Sequence, residues 1–196
     1  LMKYMPWTAT LMWIATLAIA GIPGFSGFFS KDGILAATFA RGHESPVFYM
    51  LWAVGAIAAL LTAFYMTRMM LCTFHGPNRT GETEEKHLHE APWVMTGPLV
   101  VLGIGTVVAG IANLPHVIHL PFLPESLWLE HQLEVVTELS HRVLHPVHLS
   151  AGVEWTLIGV ATVIAAVGIG AAWQFLKPAE LPTAKEAPEE TGIQKV

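Results

Sequence analysis

The sequence predicts an all-α, polytopic membrane helix bundle with four transmembrane segments, the first of them a broken (discontinuous) helix. Three observations carry that reading. Hydrophobic residues make up 53% of the 196-residue chain and charged residues 13%, and the apolar residues are gathered into long runs instead of being spread at amphipathic spacing. Four of these runs, Trp7 to Phe29 or beyond, Val47 to Thr67, Trp93 to Ala112 and Trp155 to Phe175, come close to the ~20 residues that cross a hydrocarbon layer of ~30 Å as a helix. Finally, Gly21-Ile22-Pro23-Gly24-Phe25-Ser26-Gly27 interrupts the first run, and Lys31 and Asp32 follow after Phe28-Phe29-Ser30 in an otherwise apolar stretch.

The first segment, residues 1–40, has to break. As one helix, the stretch from Trp7 to Ala40 would be about 50 Å long, well beyond the thickness of the bilayer. Pro23 removes a backbone donor and crowds the preceding turn, and Gly21, Gly24 and Gly27 weaken a helix, so the break belongs between Gly21 and Gly27. Ser26 is the expected N-cap of the second half. Lys31 and Asp32 then fall in its first turn or two, where the helix start and the apolar surroundings both work against a permanent cation. Lys31 is therefore a candidate for gaining and losing a proton. Asp32 points about 100° away round the helix and is free to face a different partner. A second reading stays open: Trp7 to Phe29 spans alone, and Ser30-Lys31-Asp32-Gly33 is an interfacial turn. Against it stands Ile34 to Ala40, too short to span and too apolar to lie uncovered in water.

The rest of the chain divides into a transmembrane helix over 46–74, a cytoplasmic loop over 75–92 and a transmembrane helix over 93–112. An outer-side loop over 113–152 follows, with an amphipathic helix from Pro124 to His145, then a transmembrane helix over 153–176 and a flexible cytoplasmic tail over 177–196. Orientation comes from basic residues. Lys3, Arg79, Lys86, Lys177, Lys185 and Lys195 lie on one side and Arg41 and Arg142 on the other, which places both termini in the cytoplasm, or in the matrix if the membrane is mitochondrial. Trp7, Trp93, Trp155 and Trp173 fall at span ends, where headgroup-level aromatics belong. Gly55 with Ala59, Gly105 with Ala109, Ala161 with Ala165, and the small residues from Gly168 to Ala172 imply close helix packing. Leu1 opens almost directly onto apolar sequence, so the chain is expected to be a piece of something longer.

Several function classes drop out. A net charge of −5 with scattered basic residues offers no face for nucleic acid. Cys72 is the single cysteine, which excludes an internal disulfide and a cysteine-ligated zinc or iron–sulfur site. His141 and His145, with Glu138 and His148, and separately His87 with His89, have only weak metal spacing in a polar setting, and no metal is expected. None of the ten histidines lies in the middle of a span, so a bis-histidine haem is excluded. Gly103-Ile104-Gly105 lacks a phosphate-binding signature. Arg68 ends the second span and is a possible member of a polar axis, although a basic residue at a helix end ordinarily snorkels to the headgroups.

The run from Ala20 to Leu35, through Gly21-Ile22-Pro23-Gly24-Phe25-Ser26-Gly27-Phe28-Phe29-Ser30-Lys31-Asp32-Gly33, resembles the discontinuous twelfth helix of an antiporter-like subunit of proton-pumping NADH:quinone oxidoreductase (respiratory complex I), in the L-subunit or chain 5 branch. Thr62 to Arg68 through Phe74 to Arg79, His89 to Met95, and Lys3-Tyr4-Met5-Pro6 are similar to the flanking parts of that family. The resemblance is good from Lys3 to about Gly110 and weaker to Phe175. It implies a carboxyl-side fragment of a proton-translocating membrane-arm subunit, within an enzyme that couples NADH oxidation and quinone reduction elsewhere to proton transport. Lys31 and Asp32 would be the proton-translocating pair, and Gly21, Pro23, Gly24, Ser26 and Gly27 the helix break. NADH, flavin, iron–sulfur clusters and quinone would sit in other subunits, with no redox site or cofactor in this chain. Its partners would be other membrane-arm subunits, above all the adjacent antiporter-like one, together with the lipid bilayer and protons. The expected membrane is the bacterial inner membrane, ahead of the mitochondrial one. The rivals are a subunit of a multisubunit sodium/proton antiporter or membrane-bound hydrogenase, and a structural anchor that conducts no ion.

Overall fold

Proline and glycine punctuate the chain where its helices start and stop. The computed structural model describes residues 1–76, 87–110 and 149–176. Helix α1 runs over Pro6–Ala20 with Pro6 in its first turn, where a missing amide costs nothing. Helix α2 runs over Ser26–Ala40 and continues as a 3-10 turn, Arg41–His43. Helix α3, Pro46–Met70, again opens on proline and passes into a π-helical turn, Leu71–His75. Helix α4 covers Trp93–Val108 and α5 covers Ala151–Phe175. Among the described residues there is no strand.

Helices α3 and α5 hold the bundle together through small side chains. Ala56, Ala59, Ala63, Thr67 and Met70 are the buried residues of α3, a single stripe at spacings of three and four. Facing it are Ala165, Gly168 and Ala172 of α5. A Cβ on Gly168 would come within 2.8 Å of both the Ala63 methyl and the Leu60 carbonyl oxygen, so the two backbones approach as only a glycine permits. The expected Gly55 site packs against Leu35 of α2. Gly105 meets nothing, and on α4 it is Gly103 that abuts Leu11 of α1.

One end of the bundle collects the start of α1, the end of α3, the approach to α4 and the end of α5. The Met2 amide donates to the Phe74 carbonyl at 3.4 Å. Glu90 accepts the Trp7 amide at 2.8 Å and also the Thr8 amide and hydroxyl. Its carboxylate thus satisfies donors that α1 leaves open at its positive end. His75 lies between Trp13 and Trp173 in edge-to-face contacts, with ring centroids at 5.4 and 5.9 Å. At the opposite end, Phe39 packs against Tyr49 and Trp52, and Gly42 leaves room for the Tyr49 ring.

Pro46–His75 and Ala151–Phe175 are long and apolar enough to cross a membrane, whereas Pro6–Ala20 and Trp93–Val108 are shorter apolar helices. Large apolar side chains cover the outside of the bundle, among them Val94, Val101 and Leu102 of α4 and Val163 and Val167 of α5. The expected amphipathic helix from Pro124 to His145, the tail 177–196, and Arg79, Lys86, Glu138, His141, Arg142, His145 and His148 lie outside the described residues.

Candidate functional site

The site is built on the interruption between α1 and α2. Gly21 adopts φ 82°, in the left-handed region, directly after α1. Its amide donates to the Ala18 carbonyl and the Ile22 amide reaches back to the Leu17 carbonyl, each at 3.1 Å. That paired pattern is the Schellman closure, and it needs a residue that tolerates positive φ at this position. Gly24 is also left-handed at φ 98°, and Phe25 closes the turn by donating to the Ile22 carbonyl at 3.3 Å.

Ser26 is the expected N-cap, and the structure corrects this. Phe25, with extended φ −106° and ψ 152°, takes the cap position without a side-chain cap bond, and Ser26 is the first helical residue. The reason lies in the turn: the Phe28 amide already donates to the Phe25 carbonyl at 3.1 Å, which starts the helix one residue earlier. Gly27 lets α2 lie directly on α1, because a Cβ there would collide with the Ala18 carbonyl. Gly110, just past α4, abuts Phe29 and the Ser26 Cα and so covers the same junction.

Lys31 turns back across the gap. Its Nζ donates to the Ala20 carbonyl oxygen at 2.7 Å, and a side chain on Gly21 would occupy the space of Nζ and Cε. Ala20 is the last residue of α1, so its carbonyl is one of those the helix end leaves open. The amine therefore stands between two opposed fields. The negative end of α1 attracts positive charge, and the positive start of α2 repels it. Sequence reasoning weighed only the second; the signal for the first was a lysine one helical stretch beyond a glycine-terminated helix.

Asp32 is half-buried, and neither carboxylate oxygen has a hydrogen-bond partner although both are out of contact with solvent. Lys31 and Asp32 form no ion pair; the ion pair found among the described residues is Arg41 to Glu44 at 3.4 Å. Pro23 and Gly24 lie in the turn itself. Arg68 is exposed in the last turn of α3. Among the described residues no three histidine, cysteine or acidic side chains gather as a metal site, and the His89 ring nitrogen Nδ1 donates to the His87 carbonyl at 2.7 Å. Two polar groups that the sequence did not single out also prove to be buried and unpartnered: the Thr16 hydroxyl and the His75 Nδ1.

The sequence that builds this site has known relatives. Residues 1–62 match the family described as NADH:quinone oxidoreductase/Mrp antiporter, TM. The NADH-quinone oxidoreductase subunit L of Mycobacterium tuberculosis (strain H37Rv) is 35% identical over 178 residues, covering 91% of this chain and 25% of that protein. The NAD(P)H-quinone oxidoreductase chain 5 of Picosynechococcus is 42% identical over 133 residues, 59% of this chain and 19% of its own length. Subunit L of Rhodobacter capsulatus is 39% identical over 122 residues, 57% of this chain and 16% of its own length. The chain thus spans a quarter or less of the length of these curated relatives. Its matched stretch contains α1, the Schellman turn and α2 with Lys31. On these matches the chain belongs to the antiporter-like family of membrane subunits found in NADH:quinone oxidoreductases and Mrp antiporters.

Proposed function

We propose that this chain is part of a proton-translocating membrane-arm subunit of NADH:quinone oxidoreductase, and that Lys31 carries the proton at the gap between α1 and α2. The observation that carries the reading is the Lys31 Nζ held 2.7 Å from the Ala20 carbonyl across a helix interruption. An ionisable group at a broken helix, with half-helix ends aimed at it, is the arrangement membrane proteins use to bind and release small cations near the bilayer midplane. With 15 residues each, α1 and α2 are about 22 Å long apiece, short of the ~30 Å hydrocarbon layer. Together they cross it as one discontinuous segment; α3 and α5, long and apolar enough to span, supply two further crossings, and the shorter apolar helix α4 is the fourth.

Asp32, its carboxylate enclosed and without a hydrogen-bond partner, tunes the field around the amine. Gly21, Pro23, Gly24 and Gly27 make the break and bring the two half-helices into contact. NADH, flavin, iron–sulfur clusters and quinone are assigned to other subunits, the nearest partner to the adjacent antiporter-like subunit, and the location to the bacterial inner membrane. A second reading, a subunit of a sodium/proton antiporter, is favoured by one finding: the family matched over residues 1–62 takes in both kinds of complex. Copurification of the chain with NADH-oxidising subunits separates the two.

The decisive test is proton uptake coupled to NADH oxidation in sealed vesicles that hold the complete complex with Lys31→Ala. The expected result is a loss of uptake of at least about tenfold, since removing a proton-transfer group ordinarily costs that or more. Uptake at the parental rate and stoichiometry contradicts the assignment and leaves an anchor without a conducted ion.

A further inference from the structure

Resting on the reading of Lys31 as proton carrier, we propose that Thr16 and His75 form the route by which protons reach Lys31 from the end of the bundle where α1 starts and α3 ends.

Thr16 is fully buried, at 0% exposure, and its hydroxyl has no hydrogen-bond partner. Helical threonines ordinarily avoid this. Here Thr10, Thr62, Thr67, Thr106 and Thr162 each donate to the carbonyl four residues back, at 2.7–2.8 Å. Thr16 forgoes that bond and stands in the packed interior of the bundle. A buried hydroxyl left open in this way needs an explanation beyond packing. A second such group is the His75 Nδ1, also buried and unpartnered.

The two are linked by position. Trp13, Thr16 and Ala20 fall at spacings of three and four and share one face of α1. The His75 ring packs edge-to-face on the indole of Trp13 at 5.4 Å, the residue one turn before Thr16 on α1. One turn above Thr16 is Ala20, whose carbonyl accepts the Lys31 Nζ at 2.7 Å. Trp13, Thr16 and Ala20 are thus stacked along α1 at axial steps of about 4.5 and 6 Å. The proposed route is completed by water between the polar groups, the partner such buried donors and acceptors take when no protein group reaches them. The π-helical turn, Leu71–His75, puts His75 here by adding an extra residue per turn at the end of α3.

The chemistry of the two groups suits transfer. An imidazole takes a proton at one ring nitrogen and releases one from the other, and a hydroxyl accepts and donates at the same oxygen. A proton arriving at His75 leaves from Nδ1 toward Thr16, passes on by rotation of the hydroxyl, and is taken up by the neutral Lys31 amine. One proton enters and one is delivered; the imidazole is left as its other tautomer and the hydroxyl turned, and both reorient before the next transfer.

The test uses the complete membrane complex in sealed vesicles, with NADH oxidation and proton uptake followed together and normalised to assembled complex. Thr16→Val keeps the shape and removes the hydroxyl; Thr16→Ser restores it. His75→Phe keeps the ring between Trp13 and Trp173 and removes both nitrogens. The expected result is that Thr16→Val and His75→Phe each lower proton uptake at least about tenfold, while Thr16→Ser stays near the parent. Should Thr16→Val fail to assemble, His75→Phe decides alone. Parental uptake in Thr16→Val and His75→Phe, alongside a loss in Lys31→Ala, overturns the route and leaves the carrier standing. A loss in Thr16→Ser equal to that in Thr16→Val also overturns it, because packing then explains both. Parental uptake in Lys31→Ala as well overturns the carrier and the route together.

Discussion

Two glycines in the turn share a left-handed backbone and differ in what surrounds them. Gly21 has φ 82° and is pressed against the Lys31 amine, whereas Gly24 has φ 98° and open space, with nothing within 4 Å of where a Cβ would stand. Alanine at Gly24 therefore meets backbone strain alone, of order 1–3 kcal/mol. Alanine at Gly21 meets the same strain and also drives Nζ off the Ala20 carbonyl. The prediction is that Gly24→Ala lowers the thermal midpoint of the purified complex and keeps proton uptake per NADH, whereas Gly21→Ala loses both. Equal uptake in the two variants contradicts a role for the Lys31 to Ala20 bond. The lysine and the glycines were legible in the sequence because charge in an apolar run and helix breakers are local signals. Thr16 and His75 were not legible: nothing in a threonine's neighbours along the chain shows whether its hydroxyl bonds to its own helix.

At the scale of elements, the amino end of α1 depends on a residue far along the chain. The Thr8 hydroxyl donates to the Glu90 carboxylate, as do the Trp7, Thr8 and Ala91 amides, and these bonds hold its pKa below the ordinary value of 4.5. A depressed carboxylate pKa stabilises the folded state fully above the ordinary range, and that stabilisation fades as the pH falls through the lowered value. Glu90→Ala should therefore lower the thermal midpoint at neutral pH, with the gap from the parent narrowing as the pH is taken below 4.5. A gap that stays constant with pH would remove Glu90 from this role. The break after Ala20 was readable from Gly21 and Pro23, yet the cap was misplaced from Phe25 to Ser26, because a turn's closing bonds outweigh a side chain's preference for the cap. The π turn had no visible signal, since apolar periodicity does not distinguish a single wide turn within a helix. Small residues announced close packing, but the pairing of Gly168 with Ala63 and of Gly103 with Leu11 emerged only once the helices were placed.

For the whole molecule, the apolar runs, the sparse charge and the interrupted first helix lead to one organisation. Small side chains pack α3 against α5, and large apolar side chains face outward. That distribution is the inverse of a water-soluble bundle and follows from lipid as the surrounding solvent. The central claim is that the Lys31 amine alternates between charged and neutral forms. The most direct measurement is proton uptake per NADH oxidised in sealed vesicles carrying the complete complex with Lys31→Arg. Arginine keeps a cation able to donate to the Ala20 carbonyl but holds its proton permanently. Loss of uptake in Lys31→Arg, comparable with that in Lys31→Ala, is the predicted result; uptake at the parental level would show that only a fixed positive charge is needed and would contradict the account.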